Sequence, residues 1–235
     1  VGGVAVAGAC DKVIDKAKLI AAHQLECSAD DLEFAGGIFS VKGSPDRAVP
    51  IAALAFAAFT AHNLPDGLEP NLEAQYTYDP PNFSWPFGTH MAIVEIDVET
   101  GKIEVLKYVA VDDCGVQINP LIVEGQVHGG VIQGLAQALF EEAVYDEDGN
   151  LKTTTLAEYL VPAACDVPSI TTAHTVTPSP TNQLGVKGIG EAGTIGAAPT
   201  IINAIIDALS SLGVKHMPMP ASPQTVWRAI QSAKK

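Results

Sequence analysis

The spacing of apolar positions changes several times along the chain. From Val4 to about His23, apolar residues including Val6, Cys10, Val13, Ile14, Ala17 and Ile20 recur every three or four positions, which predicts a helix. Leu32 to Val41 predicts a short strand pair turning at Gly36-Gly37. Pro50 opens a nearly all-apolar run that predicts a second helix over 51–62, because proline suits a first turn. Residues 91–99 and 102–112 alternate apolar and polar around Thr100-Gly101, the pattern of a half-buried hairpin. The longest helical pattern, "NPLIVEGQVHGGVIQGLAQALFEE" over 119–142, has Asn119 as N-cap and Pro120 at the first helical position. Residues 169–177 predict a further strand, 199–212 a helix, and Ser222-Pro223 the start of a last helix ending near Ala233. Strands and helices do not alternate regularly, so the expected class is α+β, with mixed sheets and packed helices.

Two stretches break these patterns. The long helix carries Gly125, Gly129, Gly130 and Gly134, each costing about 0.5–1 kcal/mol relative to alanine, a cost that close approach of another element or a ligand would explain. The stretch "EAQYTYDPPNFSWPFGTH" concentrates aromatics and prolines in a predicted loop, either a functional loop or a lid packed over the core.

Composition narrows the classes. With 235 residues, 47% apolar and 17% charged, the chain can bury the core of one large domain or two smaller ones, with 1–112 and 113–235 a possible subdivision. No apolar run approaches the ~18 residues of a membrane span, so no transmembrane segment is expected. A net charge of −14 with only 13 scattered Lys and Arg excludes a general nucleic-acid binder. The four cysteines, Cys10, Cys27, Cys114 and Cys165, are too far apart for zinc or iron–sulfur spacing. They are expected to be buried reduced thiols, which points to a cytoplasmic protein. The start at Val1-Gly2-Gly3, without methionine, is expected of part of a longer or processed polypeptide.

The candidate chemistry centres on "GVKGIGEAGTIGAAP", residues 185–199, where Glu191 stands among glycines with Lys187 as the other charge. Gly188, Gly190 and Gly193 match the dinucleotide fingerprint letter for letter, but that motif needs a strand before it and further strands after it. The residues that follow read as two helices, and Glu191 would repel a pyrophosphate, so nicotinamide nucleotide binding is not expected. Two readings of Glu191 stay open. It is either a desolvated carboxylate suited to accept a proton, or a structural residue that caps the next helix or pairs with Lys187. Gln133 on the glycine-rich helix has an amide able to hold a heterocycle or an oxo group, or is a core-edge glutamine. His90 and His128 lack partners at metal-ligand spacing and are expected to be hydrogen-bonded structural histidines, so no metal ligands are assigned.

Three stretches together, "DDCGVQINPLIVEGQVHGGVIQGLAQALFEE", "VTPSPTNQLGVKGIGEAGTIGAAPTIINAIIDAL" and "YDPPNFSWPFGTHMAIVEID", resemble the large subunit of the molybdenum hydroxylases. These are the xanthine dehydrogenase, aldehyde oxidoreductase and aerobic carbon monoxide dehydrogenase family. The resemblance runs in order along nearly the whole chain and corresponds to the C-terminal part of the molybdopterin-binding region. It implies molybdopterin carrying molybdenum, in the cytosine dinucleotide form, held by backbone and amide groups. By the same resemblance Gln133, Gly129, Gly130 and Gly134 lie on a cofactor-facing helix, Lys187, Gly188, Ile189 and Gly190 form a loop touching the pterin, and Glu191 is the active-site carboxylate. Glu191 then takes a proton from a hydroxyl on molybdenum, whose water-derived oxygen attacks an electron-poor carbon. Electrons leave through [2Fe–2S] clusters and FAD, implied for partner subunits of a heterotrimer that pairs into a dimer, with the N-terminal part of the large subunit as a further partner. The Gln133-Gly134 pair and the residues after Glu191 incline the expected substrate towards an N-heterocycle or aldehyde, or an unknown substrate of a carbon monoxide dehydrogenase-like enzyme. A non-catalytic scaffold that kept the fold is the alternative.

Overall fold

The structure is a computed structural model that describes residues 1–233. It divides into two compact units, Val1–Pro81 and Asn82 onward, not at the expected boundary after residue 112. That boundary would cut the strand covering Ile103–Asp113 one residue before its end.

In the first unit, helix α1 (Gly2–Gln24) and helix α2 (Ile51–Thr60) accompany a three-stranded antiparallel sheet, β1 (Leu32–Ala35), β2 (Ile38–Val41) and β3 (Ser44–Pro50). Ala17, Ile20 and Ala21 of α1, Leu32, Phe39 and Val41 of the sheet and Leu54 and Ala58 of α2 form its core. The sequence pattern misses β3 because "SPDRAVP" is almost wholly exposed and holds two prolines. It is an edge strand that pairs with β2 across an irregular register.

In the second unit, β4 (Phe87–Ile96) and β5 (Ile103–Asp113) form the expected hairpin, and β6 (Ile170–His174) joins β5 in parallel to give a mixed sheet. Helix α3 (Pro120–Leu139) packs along helix α4 (Ala192–Leu209), and helix α5 (Pro223–Ala233) adds Val226 and Ile230 to the core. Asn119 caps α3 as expected, its side-chain oxygen accepting the Ile122 N–H.

Helix α4 starts at Ala192, not near Pro199 as the sequence suggested. Pro199 sits inside it, where it deprives Ile195 of the usual i+4 donor, and remains exposed. Burial of Ala197, Ile201, Ile205 and Leu209 against the rest of the core sustains the helix across that defect. Residues 192–212 are also long and apolar enough to cross a bilayer, contrary to the expectation from the sequence, yet the buried stripe of α4 serves the core of this unit.

The reason for two of the four α3 glycines lies here. A Cβ on Gly130 would stand 3.0 Å from the Gly193 Cα, and one on Gly134 would stand 2.7 Å from the Ala197 Cβ. Contacts that advance together along both helices make α3 and α4 parallel, and the Thr194 hydroxyl donates to the Gly130 carbonyl at 3.1 Å.

Candidate active site

Strands β5 and β6 end at the same edge of the sheet, and the N-terminal turns of α3 and α4 lie over that edge. Two cavities open there and share Asp112. One, of about 230 Å³, lies beside Pro120, Glu124 and His174. The other, of about 310 Å³, lies beside Phe87, His90, Ala192 and Gly196.

Glu191 occupies the N-cap position of α4, and its backbone carbonyl accepts the Ile195 N–H. The side chain does neither structural job considered for it. It makes no capping hydrogen bond, and among the described residues it has no ion-pair partner. In this chain Glu191 is exposed, so the expected desolvation is absent from residues 1–233 by themselves.

Lys187 is instead bound to Asp113, Nζ to Oδ1 at 3.1 Å, with both side chains buried and the Phe87 ring 4.5 Å from the ammonium. Asp113 also accepts from the Gly115 N–H at 2.9 Å, the Thr177 N–H at 3.1 Å and the Thr175 hydroxyl at 2.9 Å. Burial pushes the Asp113 carboxyl up, but the hydrogen bonds from Gly115, Thr177 and Thr175 together outweigh it and hold the group well below the ordinary carboxylate range.

His90 lies between two partners. Its Nδ1 is 2.8 Å from the Tyr108 hydroxyl, and its Nε2 is 3.3 Å from both Asp112 oxygens. An Nε2–H directed at Asp112 leaves Nδ1 to accept from Tyr108. Burial, with a contribution from Asp112, pushes the Tyr108 phenol up to about 12, so it stays a donor. The ring of His90 lies against α4 where Gly196 leaves room, since a Cβ there would come within 2.4 Å of Nδ1.

The other predicted site residues separate into two groups. Gly130 and Gly134 are buried against α4 and are explained by helix packing. Gly129, Gln133, Gly188 and Gly190 are exposed, and Ile189 packs against the core. Nothing lies within 4 Å of a Cβ placed on Gly129 or Gly188. On α3, Gln126, Gly129, Gln133 and Gln137 are exposed and share one face by helical spacing, and the Gln126 amide oxygen lies beside Gly190. The sequence reading missed Gln126 and Gln137, although their i, i+7 and i+11 spacing with Gln133 was available. It also missed Asp112 and Asp113.

Two further expectations need correction. His128 Nε2 is buried and, among the described residues, has no hydrogen-bond partner, unlike His90. All four cysteines are free, but only Cys114 is buried, while Cys10 and Cys165 are exposed. The loop aromatics Phe83 and Trp85 lie tilted against each other, ring centres 5.7 Å apart, and stand 77% and 73% exposed, so they do not pack over the core as a lid.

Residues 1–168 match the family model of the molybdopterin cofactor-binding domain. The chain belongs to this family. The molybdopterin-binding match ends before Lys187 and Glu191, but similarity to whole relatives continues through them. The chain is 43% identical over 98% of its length to the carbon monoxide dehydrogenase large chain of Hydrogenophaga pseudoflava, covering 28% of that protein. It is 40% identical over 98% of its length to the nicotine 6-hydroxylase large subunit of Paenarthrobacter nicotinovorans, again covering 28%. Among solved structures, a Cu,Mo-CO dehydrogenase superposes with a TM-score of 0.93 at 41% identity over 99% of this chain and 29% of that one. The chain therefore spans under a third of the length of these relatives, and its α+β architecture is that of the matching part of a CO dehydrogenase.

The residues present fit such a cofactor. Exposed amides of Gln126, Gln133 and Gln137 share a face of α3 with Gly129, and Gln126 lies beside Gly190, the residue before a carboxylate whose nearest lysine in sequence is engaged elsewhere. No group of three His, Cys, Asp or Glu side chains among the described residues is arranged to hold a metal ion.

Proposed function

We propose that this chain is the cofactor-holding, catalytic part of a molybdenum hydroxylase large subunit, with Glu191 as the proton acceptor. The observation that carries the reading is the free Glu191 carboxylate at the start of α4, beside the amide-lined face of α3, with Lys187 committed to Asp113. When bound, the molybdenum cofactor supplies the two-electron oxidation and activates the water-derived oxygen. The protein's share is binding, orientation and proton management. Gln126, Gln133 and Gln137 offer amide donors and acceptors, and Gly129, Gly188 and Gly190 offer bare backbone, so an anionic group can be held without lysines. A Glu191 carboxylate oxygen accepts the proton given up by the water-derived nucleophile.

The cofactor is proposed in its cytosine dinucleotide form, with [2Fe–2S] and FAD subunits as electron partners in a cytoplasmic dimer of heterotrimers. The substrate class extends over small N-heterocycles, aldehydes and carbon monoxide-like molecules. Nearly equal identity to a carbon monoxide dehydrogenase and a nicotine hydroxylase supports the class without choosing within it.

The test is Glu191→Gln in the assembled protein, with molybdenum and pterin content measured beside turnover. Turnover is expected to fall about 10²–10⁴-fold at wild-type cofactor content. Full turnover would remove the proton-acceptor role, and native protein lacking both molybdenum and pterin would favour a scaffold.

A further inference from the structure

The segment that carries Glu191 is held at two ends. Upstream, the Val116 N–H donates to the Gly185 carbonyl at 3.0 Å and the Lys187 N–H to the Cys114 carbonyl at 2.8 Å, pairing this segment with the chain leaving β5. The Lys187 side chain then folds back onto Asp113. Downstream, Gly193 is pressed against α3. Only Gly188, Ile189, Gly190 and Glu191 itself span the interval between Lys187 and the start of α4.

The upstream anchor is expensive for what it does to stability alone. Two buried charges lose their hydration, and a well-packed neutral pair would commonly stabilise a fold as well. Asp113 compensates by collecting three further hydrogen bonds from Gly115, Thr175 and Thr177, so it joins the end of β5, the chain after β6 and the Glu191 segment at one point. Lys187 is also the only cation in residues 185–199, four positions before Glu191.

We propose that Asp113 is a positioning residue for the Glu191 carboxylate, tethering the segment that carries it through Lys187 and keeping that cation engaged inside the fold. The proposal rests on Glu191 as the proton acceptor, and the test separates the two. Asp113→Asn and the double variant Asp113→Asn/Lys187→Met are made in the full protein in its native assembly. Hydrogen–deuterium exchange of peptides covering 184–191, melting temperature, kcat and KM are measured for each.

In Asp113→Asn, exchange in 184–191 is expected to rise at least about tenfold relative to the β4–β5 hairpin. The kcat is expected to fall about 100-fold with KM within about twofold. The added Lys187→Met removes the stranded cation and should recover the melting temperature, while exchange stays fast and kcat stays low because the tether is gone. Recovery of kcat together with melting temperature in the double variant would mean that the pair only stabilises the fold, and overturns the proposal. Wild-type exchange in the single variant overturns it too. Should Asp113→Asn fail to fold, Lys187→Met alone, which leaves Asp113 its three other donors, carries the same reading. Faster exchange with a lower kcat at unchanged KM supports the proposal, and unchanged exchange overturns it. A Glu191→Gln protein with full turnover would remove the proton-acceptor role and leave the exchange result intact.

Discussion

Lys187 and Glu191 are four residues apart in a stretch with no other charge, a spacing that invites them to pair, yet the lysine is bound to Asp113. The choice is physical, because Asp113 is already surrounded by donors in a buried niche and offers a fully ionised partner. His90 shows the same economy of polar groups, and it yields a prediction about stability. Tyr108→Phe removes the one hydrogen-bond partner that His90 Nδ1 has among the described residues, and should lower stability by about 1–3 kcal/mol in urea unfolding, the usual cost of stranding a buried polar atom. No loss would mean that Nδ1 finds another donor, or water. Glu191 was legible in the sequence because a lone acid among glycines stands out. Asp113 was not, since its partner Lys187 lies 74 positions away and nothing local marks one aspartate of an adjacent pair. His90 could have been placed from the hairpin register, which sets it opposite Ala110 with Tyr108 and Asp112 two residues to either side on the same face.

Glycines on the two packed helices α3 and α4 serve opposite ends, and substitution separates them. Gly193→Ala would bring a Cβ within 2.6 Å of the Val127 carbonyl and 2.8 Å of the Val131 nitrogen, backbone atoms that cannot swing aside. Overpacking of about 1–3 kcal/mol should exceed the helix gain of about 0.5–1 kcal/mol and lower the melting temperature, and the displaced α4 start would carry Glu191 with it. Gly129→Ala meets nothing within 4 Å, so the cofactor-free protein should gain about 0.5–1 kcal/mol. Its pterin content should nevertheless fall if the cofactor lies against this face, and retained content would move the cofactor off Gly129. Most elements were legible from period and punctuation, since β4, β5, α3 and α5 announce themselves by alternation, helical spacing or a capping residue before proline. The start of α4 was not, because Pro199 reads as an opening signal and only the packed partner α3 explains why the helix continues upstream of it. That error mattered for the site, since it placed the start of the helix near Pro199 rather than directly after Glu191.

Acid should probe the two units unequally. The buried carboxylates among the described residues, Asp112 and Asp113, both belong to the second unit. Asp113 is held below its ordinary value in the folded chain, so the unfolded chain binds its proton more readily. Its contribution is therefore complete above the unfolded value of about 3.9 and is lost as pH falls from there towards the folded value. Both tryptophans, Trp85 and Trp227, also lie in the second unit, so tryptophan fluorescence follows that unit alone. Urea midpoints read by tryptophan emission should decline as pH is lowered from about 5 to 3. In Asp113→Asn the midpoint should start lower at neutral pH and fall less steeply, because the titrating group is gone while its buried donors remain unpaired by charge. Equal slopes for the two proteins would mean that Asp113 keeps its proton affinity on folding. The hydrogen bonds around it would then stabilise the protonated and ionised forms alike, and the charged tether would have no energetic preference for Lys187 over a neutral partner.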